Sequence, residues 1–156
     1  MRILCLFIPH FPLQVEERDS STLKGKLVII GGLPHERKAV YDASPQALER
    51  HVKIGMSLRH AYSLCPEAHF LSTDEKKYEQ AFEEVLVVLD SFSPLVESQE
   101  LGTAFLDASG LGDYYNGEEN LSKQLLNRVR SSCRLSASVG IAGSKFPAKV
   151  SATITG

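Results

Sequence analysis

Three acids cluster in the middle of the chain, Glu97, Glu100 and Asp107, along Leu95-Val-Glu-Ser-Gln-Glu-Leu-Gly-Thr-Ala-Phe-Leu-Asp-Ala-Ser-Gly110. Carboxylates grouped in this way are hard oxygen ligands of the kind magnesium prefers. A pair of bridged magnesium ions is one route to phosphoryl and nucleotidyl transfer. Further along, Lys145 and Lys149 lie one helical turn apart. At a helix start, two cations and unbonded amides can hold a phosphate. Each signal has a plainer reading: structural acids on a hairpin, and solvated lysines. Arg128, Arg130 and Arg134 form a second basic group, whose simplest role is to complement the end of a helix dipole. His10, His35, His51, His60 and His69 are scattered and show no metal-ligand spacing.

The acids need a frame. Leu95–Gln99 and Thr103–Asp107 read as two strands meeting near Leu101-Gly102. Ile3–Ile8 is a continuous apolar run, the pattern of a strand buried on both faces, and Pro9 and Pro12 end it. Leu27–Ile30 and Lys38–Ala43 read as further strands. Ser44-Pro45 starts a helix to about His51, a capping side chain followed by proline at the first helical position. Ser57 starts another, ending at Cys65-Pro66, and Ala68–Leu71 is a short strand. Asp74 and Glu75 open a long helix to about Ser91, where the dipole favours acids. Its apolar positions Tyr78, Phe82, Val85, Leu86 and Leu89 form one stripe, with Glu79, Glu83 and Glu84 on solvated faces. A loop over residues 110–117 leads to a helix at Glu118–Ser131, a strand at Ala137–Ala142, and a last helix capped by Ser144.

Taken as elements, this is an α+β chain. The order βαββαβ is that of a ferredoxin-like sheet with two helices on one face. It is interrupted after the first strand by a small α/β insertion. The insertion's expected core is Val28, Ile30, Leu48, Val52, Met56, Leu58 and Leu64. With 156 residues, 43% of them apolar, there is material for one core and a small satellite. Net charge is −2, so nothing attracts nucleic acid globally, and any such contact must be local. Cys5, Cys65 and Cys133 are odd in number and widely spaced, as expected of reduced core thiols in an intracellular protein. No apolar run is long enough to span a membrane. A cytoplasmic location is the expectation.

Seven segments in order resemble Y-family DNA polymerases of the UmuC/DinB type: Phe11-Pro-Leu-Gln-Val-Glu16, Leu27-Val-Ile-Ile-Gly-Gly32, Ile54-Gly-Met-Ser57, Leu64-Cys-Pro66, Phe92-Ser-Pro-Leu-Val-Glu97, Ala104-Phe-Leu-Asp107 and Ser138-Val-Gly-Ile-Ala-Gly-Ser-Lys-Phe-Pro-Ala-Lys149. The resemblance implies a palm-like domain at residues 1–11 and 72–156 and a fingers-like domain at 12–71. The thumb and little finger, which grip most of the DNA, would lie beyond Gly156. It also implies where the chemistry should be. The family's metal-binding acids fall on Phe7, Gly102 and Thr103, and a further Asp on Pro9. The aromatic gate against ribonucleotides falls on Pro12, and the triphosphate-gripping Tyr and Arg on Pro45 and Leu48. A last phosphate-contacting Lys falls near Gly156. Lys145 and Lys149 lie where the family faces the primer strand, and are the expected DNA-binding residues.

From these positions the sequence reads as a catalytically silent, ImuB-like member rather than an enzyme. No cofactor, metal site, nucleotide site or catalytic residue is expected. Its role would be that of a scaffold or accessory factor in DNA repair and translesion synthesis. The resemblance implies as partners a sliding clamp, a RecA-like accessory protein and a separate error-prone polymerase, with DNA held mainly outside this stretch and no membrane involved. Two alternatives stand beside it. One is an active translesion polymerase with relocated acids, Glu100 foremost because it aligns with the family's Ser. The other is a plain protein-interaction module on a ferredoxin-like core.

Overall fold

The computed structural model describes residues 1–155; the phosphate-contact position near Gly156 lies outside the described residues. In chain order the elements are β1 (Ile3–Phe7), α1 (Phe11–Asp19), a 3-10 turn (Ser21–Leu23), β2 (Val28–Ile30), β3 (Asp42–Ala43), α2 (Pro45–Glu49), α3 (Leu58–Leu64) and β4 (His69–Leu71). They continue with α4 (Glu75–Asp90), β5 (Val96–Glu100), β6 (Thr103–Asp107), α5 (Leu111–Tyr114), α6 (Glu118–Cys133), β7 (Ser138–Ala142) and α7 (Lys145–Thr155). They form two compact units, one made of Met1–Phe11 with Lys77–Gly156, the other of Pro12–Lys76.

The first unit holds a four-stranded sheet in the order β5-β6-β1-β7. All its pairings are antiparallel. The first strand thus lies between the third and fourth of its unit, which is the ferredoxin-like arrangement expected from the βαββαβ order. A strand in that position has neighbours on both edges, and its apolar run follows from cover on both faces. Leu4, Cys5 and Leu6 are fully buried. Alternation along the strand turns Ile3, Cys5 and Phe7 to one face, where they pack with Phe105, Ala148 and Ala152. Leu4 and Leu6 are buried on the other. The stripe of α4 (Tyr78, Ala81, Phe82, Val85, Val88, Leu89) and that of α6 (Leu121, Leu125, Val129, Cys133) are likewise buried.

Helix α7 lies against the sheet at van der Waals limits. A Cβ on Gly140 of β7 would stand 2.3 Å from the Ala148 carbonyl oxygen and 2.4 Å from the Ala152 nitrogen. Only glycine permits that approach. The Ser138 hydroxyl reinforces it by donating to the Ala152 carbonyl at 2.7 Å.

In the second unit β2 is central to a three-stranded sheet, antiparallel to β3 and parallel to β4. Ser44 caps α2, its oxygen accepting from the Ala47 amide at 3.4 Å and from the Val28 amide at 3.0 Å. Ser57 caps α3 through the His60 amide at 3.1 Å. The core gathers Ile29, Val40, Ala43, Ala47, Val52, Leu58, Ala61 and Cys65. Leu48, Met56 and Leu64 pack at its edge. Val28 and Ile30 are buried too, but Ile29 is the β2 residue in this cluster, because alternation sends its neighbours to the opposite face.

Three local expectations change. Residues 11–19 are helical: Pro12 stands in the first turn, where a missing amide costs nothing, so it opens a helix rather than only ending a strand. The strand expected over Lys38–Ala43 shortens to Asp42–Ala43 because the backbone before it bonds elsewhere. The Val40 amide donates to Met56 O at 2.8 Å, and the Leu58 amide to Lys38 O at 3.0 Å. Within the loop at 110–117, residues Leu111–Tyr114 form the short helix α5.

The packing of β7 on α7 is directly testable. Gly140→Ala should destabilise the chain by roughly 1–3 kcal/mol or more, as overpacked sites do, read as a lower urea midpoint. Gly143→Ala, where the nearest atom is 3.9 Å away, should leave that midpoint nearly unchanged.

Candidate functional site

The positions singled out on β1 and on the hairpin come together in space. Phe7 pairs with Thr103 across β1 and β6, and the Ile8 amide donates to the Gly102 carbonyl at 2.8 Å. Residue 7 and the pair 102 and 103, far apart in the chain, therefore share one end of the sheet. Their side chains have been turned to packing. Phe7 belongs to the apolar cluster beneath α7. Thr103 is 1% exposed. Gly102 has φ +87°, and a Cβ there would lie 2.8 Å from the Ile8 carbonyl oxygen and 3.0 Å from the Phe11 Cβ. A carboxylate at position 102 would need a different backbone in the turn as well as a different residue.

Two magnesium ions need several hard oxygen ligands. An apolar ring, a glycine and a buried hydroxyl do not fit that requirement, so no step is derived through such a site. Among the described residues, no group of three or more His, Cys, Asp or Glu side chains is placed to hold a metal ion.

The neighbouring acids are engaged elsewhere. Asp107 is at the opposite end of β6, about 13 Å from Thr103 at the usual strand rise. Ser109, through its side chain and its amide (2.9 Å), holds the Asp107 carboxyl below its ordinary pKa. Glu97 and Glu100 lie on the outer strand β5, Glu100 opposite Thr103. The start of α7 brings Lys145 Nζ to 2.5 Å from Glu97 Oε2. Lys149 Nζ lies 2.7 Å from Gln99 Oε1 and 3.8 Å from Glu100 Oε1. Lys145 also stands 5.9 Å from the centre of the Phe105 ring. Sequence reading singled out these lysines and these acids separately; nothing local linked them, and the sheet brings them together.

Other marked residues have structural settings. Pro45 is at the first position of α2, and Leu48 packs on the second unit's core. Pro12 is in the first turn of α1. Arg128 lies over the Phe92 ring at 5.8 Å, Arg130 is in the last turn of α6, and Arg134 is its left-handed C-cap. Cys5, Cys65 and Cys133 are buried thiols outside any disulfide. Burial pushes the Cys5 thiol up to about 11, with Lys149 opposing, so it is protonated and unreactive in the folded chain.

The comparisons with known proteins fit this geometry. The model of the impB/mucB/samB family matches residues 6–153. The chain belongs to that family. Its relatives include the DNA polymerase IV of Dehalococcoides mccartyi (strain CBDB1), 32% identical over 96% of this chain and 38% of that protein. The DNA polymerase IV of Pelotomaculum thermopropionicum is 34% identical over the same shares. DinB from Sulfolobus solfataricus superposes with TM-score 0.89 over 99% of this chain and 46% of that one, at 24% identity. A Y-family DNA polymerase chimera reaches 0.90. These likenesses bear out the α+β class and the Y-family resemblance. The chain spans about two fifths of the length of the curated relatives it matches.

Family membership overturns one expectation. From positions 7, 102 and 103 the chain reads as something other than an enzyme, yet its relatives carry the name of an enzyme, and that reading is withdrawn. Its weakness was physical: three residues report on three positions, whereas oxygen ligands can come from other parts of a protein.

The turn itself yields a test. Gly102→Ala should cost roughly 1–3 kcal/mol in urea unfolding, from the left-handed backbone and the close approach of Ile8. An unchanged midpoint would mean that the turn at Leu101-Gly102 relaxes freely.

Proposed function

We propose that this chain works in DNA repair by translesion synthesis, its two units serving as the palm and fingers of a UmuC/DinB-type protein. One observation carries the reading: the family model extends over residues 6–153, nearly the whole chain, so the function is argued from a continuous match and not from fold alone. The primer-strand contact is assigned to Lys145 and Lys149. Both stand at the start of α7, where helix amides and two cations suit a phosphate. The net charge of −2 leaves no global attraction to compete with that local one. Within the family resemblance, thumb and little-finger regions supply most of the remaining grip. A sliding clamp, a RecA-like accessory protein and a separate error-prone polymerase are the proposed protein partners, for which this body serves as a scaffold. The proposed location is the cytoplasm; no helix among the described residues is long and apolar enough to cross a membrane.

A primer–template titration tests the assignment of the two lysines. Replacing both Lys145 and Lys149 with alanine should weaken binding about equally for all sequences. The salt slope of log K should become shallower by about 0.9 for each phosphate that is no longer neutralised. An affinity and slope equal to those of the unaltered chain would remove both lysines from the interface. Primer extension in magnesium, run with Glu100→Gln alongside, addresses catalysis. Extension abolished by that change would place an oxygen ligand on this hairpin, and extension that survives it would place the ligands elsewhere.

A further inference from the structure

We infer that the outer strand β5 carries a polar and electrostatic latch that restrains the DNA-facing lysines of α7: Glu97 holds Lys145, Gln99 and Glu100 hold Lys149, and DNA phosphates must displace those side chains to bind. The inference rests on the assignment of Lys145 and Lys149 to the primer strand and adds the regulation of that binding.

The geometry is specific. Strand β5 is the edge of its sheet, and its residues Glu97–Glu100 are exposed. An exposed edge of this kind is free to present side chains sideways. Helix α7 is pinned on the same sheet by the Gly140 approach and the Ser138 hydroxyl, and the lysine side chains of its first two turns reach Glu97, Gln99 and Glu100 of β5. Two lysines one turn apart then face acceptors on alternate and adjacent β5 positions. Lys145 meets Glu97 at 2.5 Å, and Lys149 meets Gln99 at 2.7 Å with Glu100 at 3.8 Å. Phe105 backs Lys145 from the sheet face. A groove of about 350 Å³, lined by Gln99, Phe105, Lys145, Phe146, Lys149 and Val150, runs between strand and helix.

The consequences follow from charge. A lysine already paired with a carboxylate presents little net positive charge to an approaching phosphate, and a phosphate that takes it over releases a carboxylate rather than a free lysine's solvation. The pairs are solvent-exposed, with side-chain exposures of 53% and 60% for Lys145 and Glu97, so each is weak and the latch opens readily. It sets a threshold for DNA affinity rather than a barrier to it. A neutralised or displaced β5 acid would switch the face from nearly neutral to basic without moving the fold.

The experiment is a fluorescence titration of this chain with a labelled primer–template between about 50 and 200 mM salt. It compares the unaltered chain, Glu97→Gln, Glu97→Gln with Glu100→Gln, Lys145→Ala with Lys149→Ala, and each acid variant combined with those two lysine changes. The latch predicts that the double acid variant binds about two- to fivefold tighter, the range that exposed ion pairs support. Its salt slope should steepen by up to about 0.9 per freed lysine. Both effects should vanish in the lysine-to-alanine background. If the acid variants bind tighter by the same factor with the lysines removed, the acids act only through the general field and the latch is overturned. If the acid variants change nothing while the lysine variants weaken binding, the lysines bind DNA unrestrained: the latch fails and the assignment of the lysines to DNA stands. If the lysine variants are without effect in every background, or no variant binds at any salt tested, that assignment fails and takes the latch with it.

Discussion

The double pairing of β1 governs the first unit. Phe7 is matched with Thr103 on one side and with Ser138 on the other, and everything of functional interest is set by that register. A slip of one residue would turn Cys5 and Phe7 away from α7 and expose the opposite face. Because Leu4, Cys5 and Leu6 are all fully buried, such a slip would exchange apolar side chains of different size and shape between two closely packed faces. The register is therefore held by burial of the order of 1.5–3 kcal/mol for each large apolar side chain, more than any single hydrogen bond at the sheet end supplies.

The same pairing explains how the end of the sheet came to be filled rather than polar. Phe7 packs beneath α7, Thr103 is enclosed, and Gly102 lets the turn come close to Ile8 and Phe11. Phe7 and Thr103 are direct cross-strand partners, and the glycine at 102 allows the close approach of the turn. The site has a consistent packing logic of its own.

In the proposed role, a chain of net charge −2 would meet nucleic acid through local charge on the α7 side. Lys145 and Lys149 are concentrated on one helix start, and the acids paired with them are on a single edge strand. Local arrangement, not the total, sets the field a phosphate meets within a Debye length of about 10 Å at 0.1 M salt.

Much of this was legible in the sequence, and the limits were physical. The apolar run of β1, the stripes of α4 and α6, the caps Ser44 and Ser57 and the strand Thr103–Asp107 all rest on patterns contained within single elements, which local sequence encodes. The positions Phe7, Gly102 and Thr103 were legible as a set only through the family resemblance, since periodicity alone does not pair residues that far apart. Tertiary structure decided the rest. It made Ile29 rather than Val28 or Ile30 the inward residue of the second unit's core, and it diverted residues 38–40 from a strand into bonds with Met56 and Leu58. It also brought Lys145 to Glu97, 48 residues away. A side chain's own neighbours fix its propensity and period, whereas its partner across a sheet depends on which strands meet and in what register. That is a property of the folded chain as a whole.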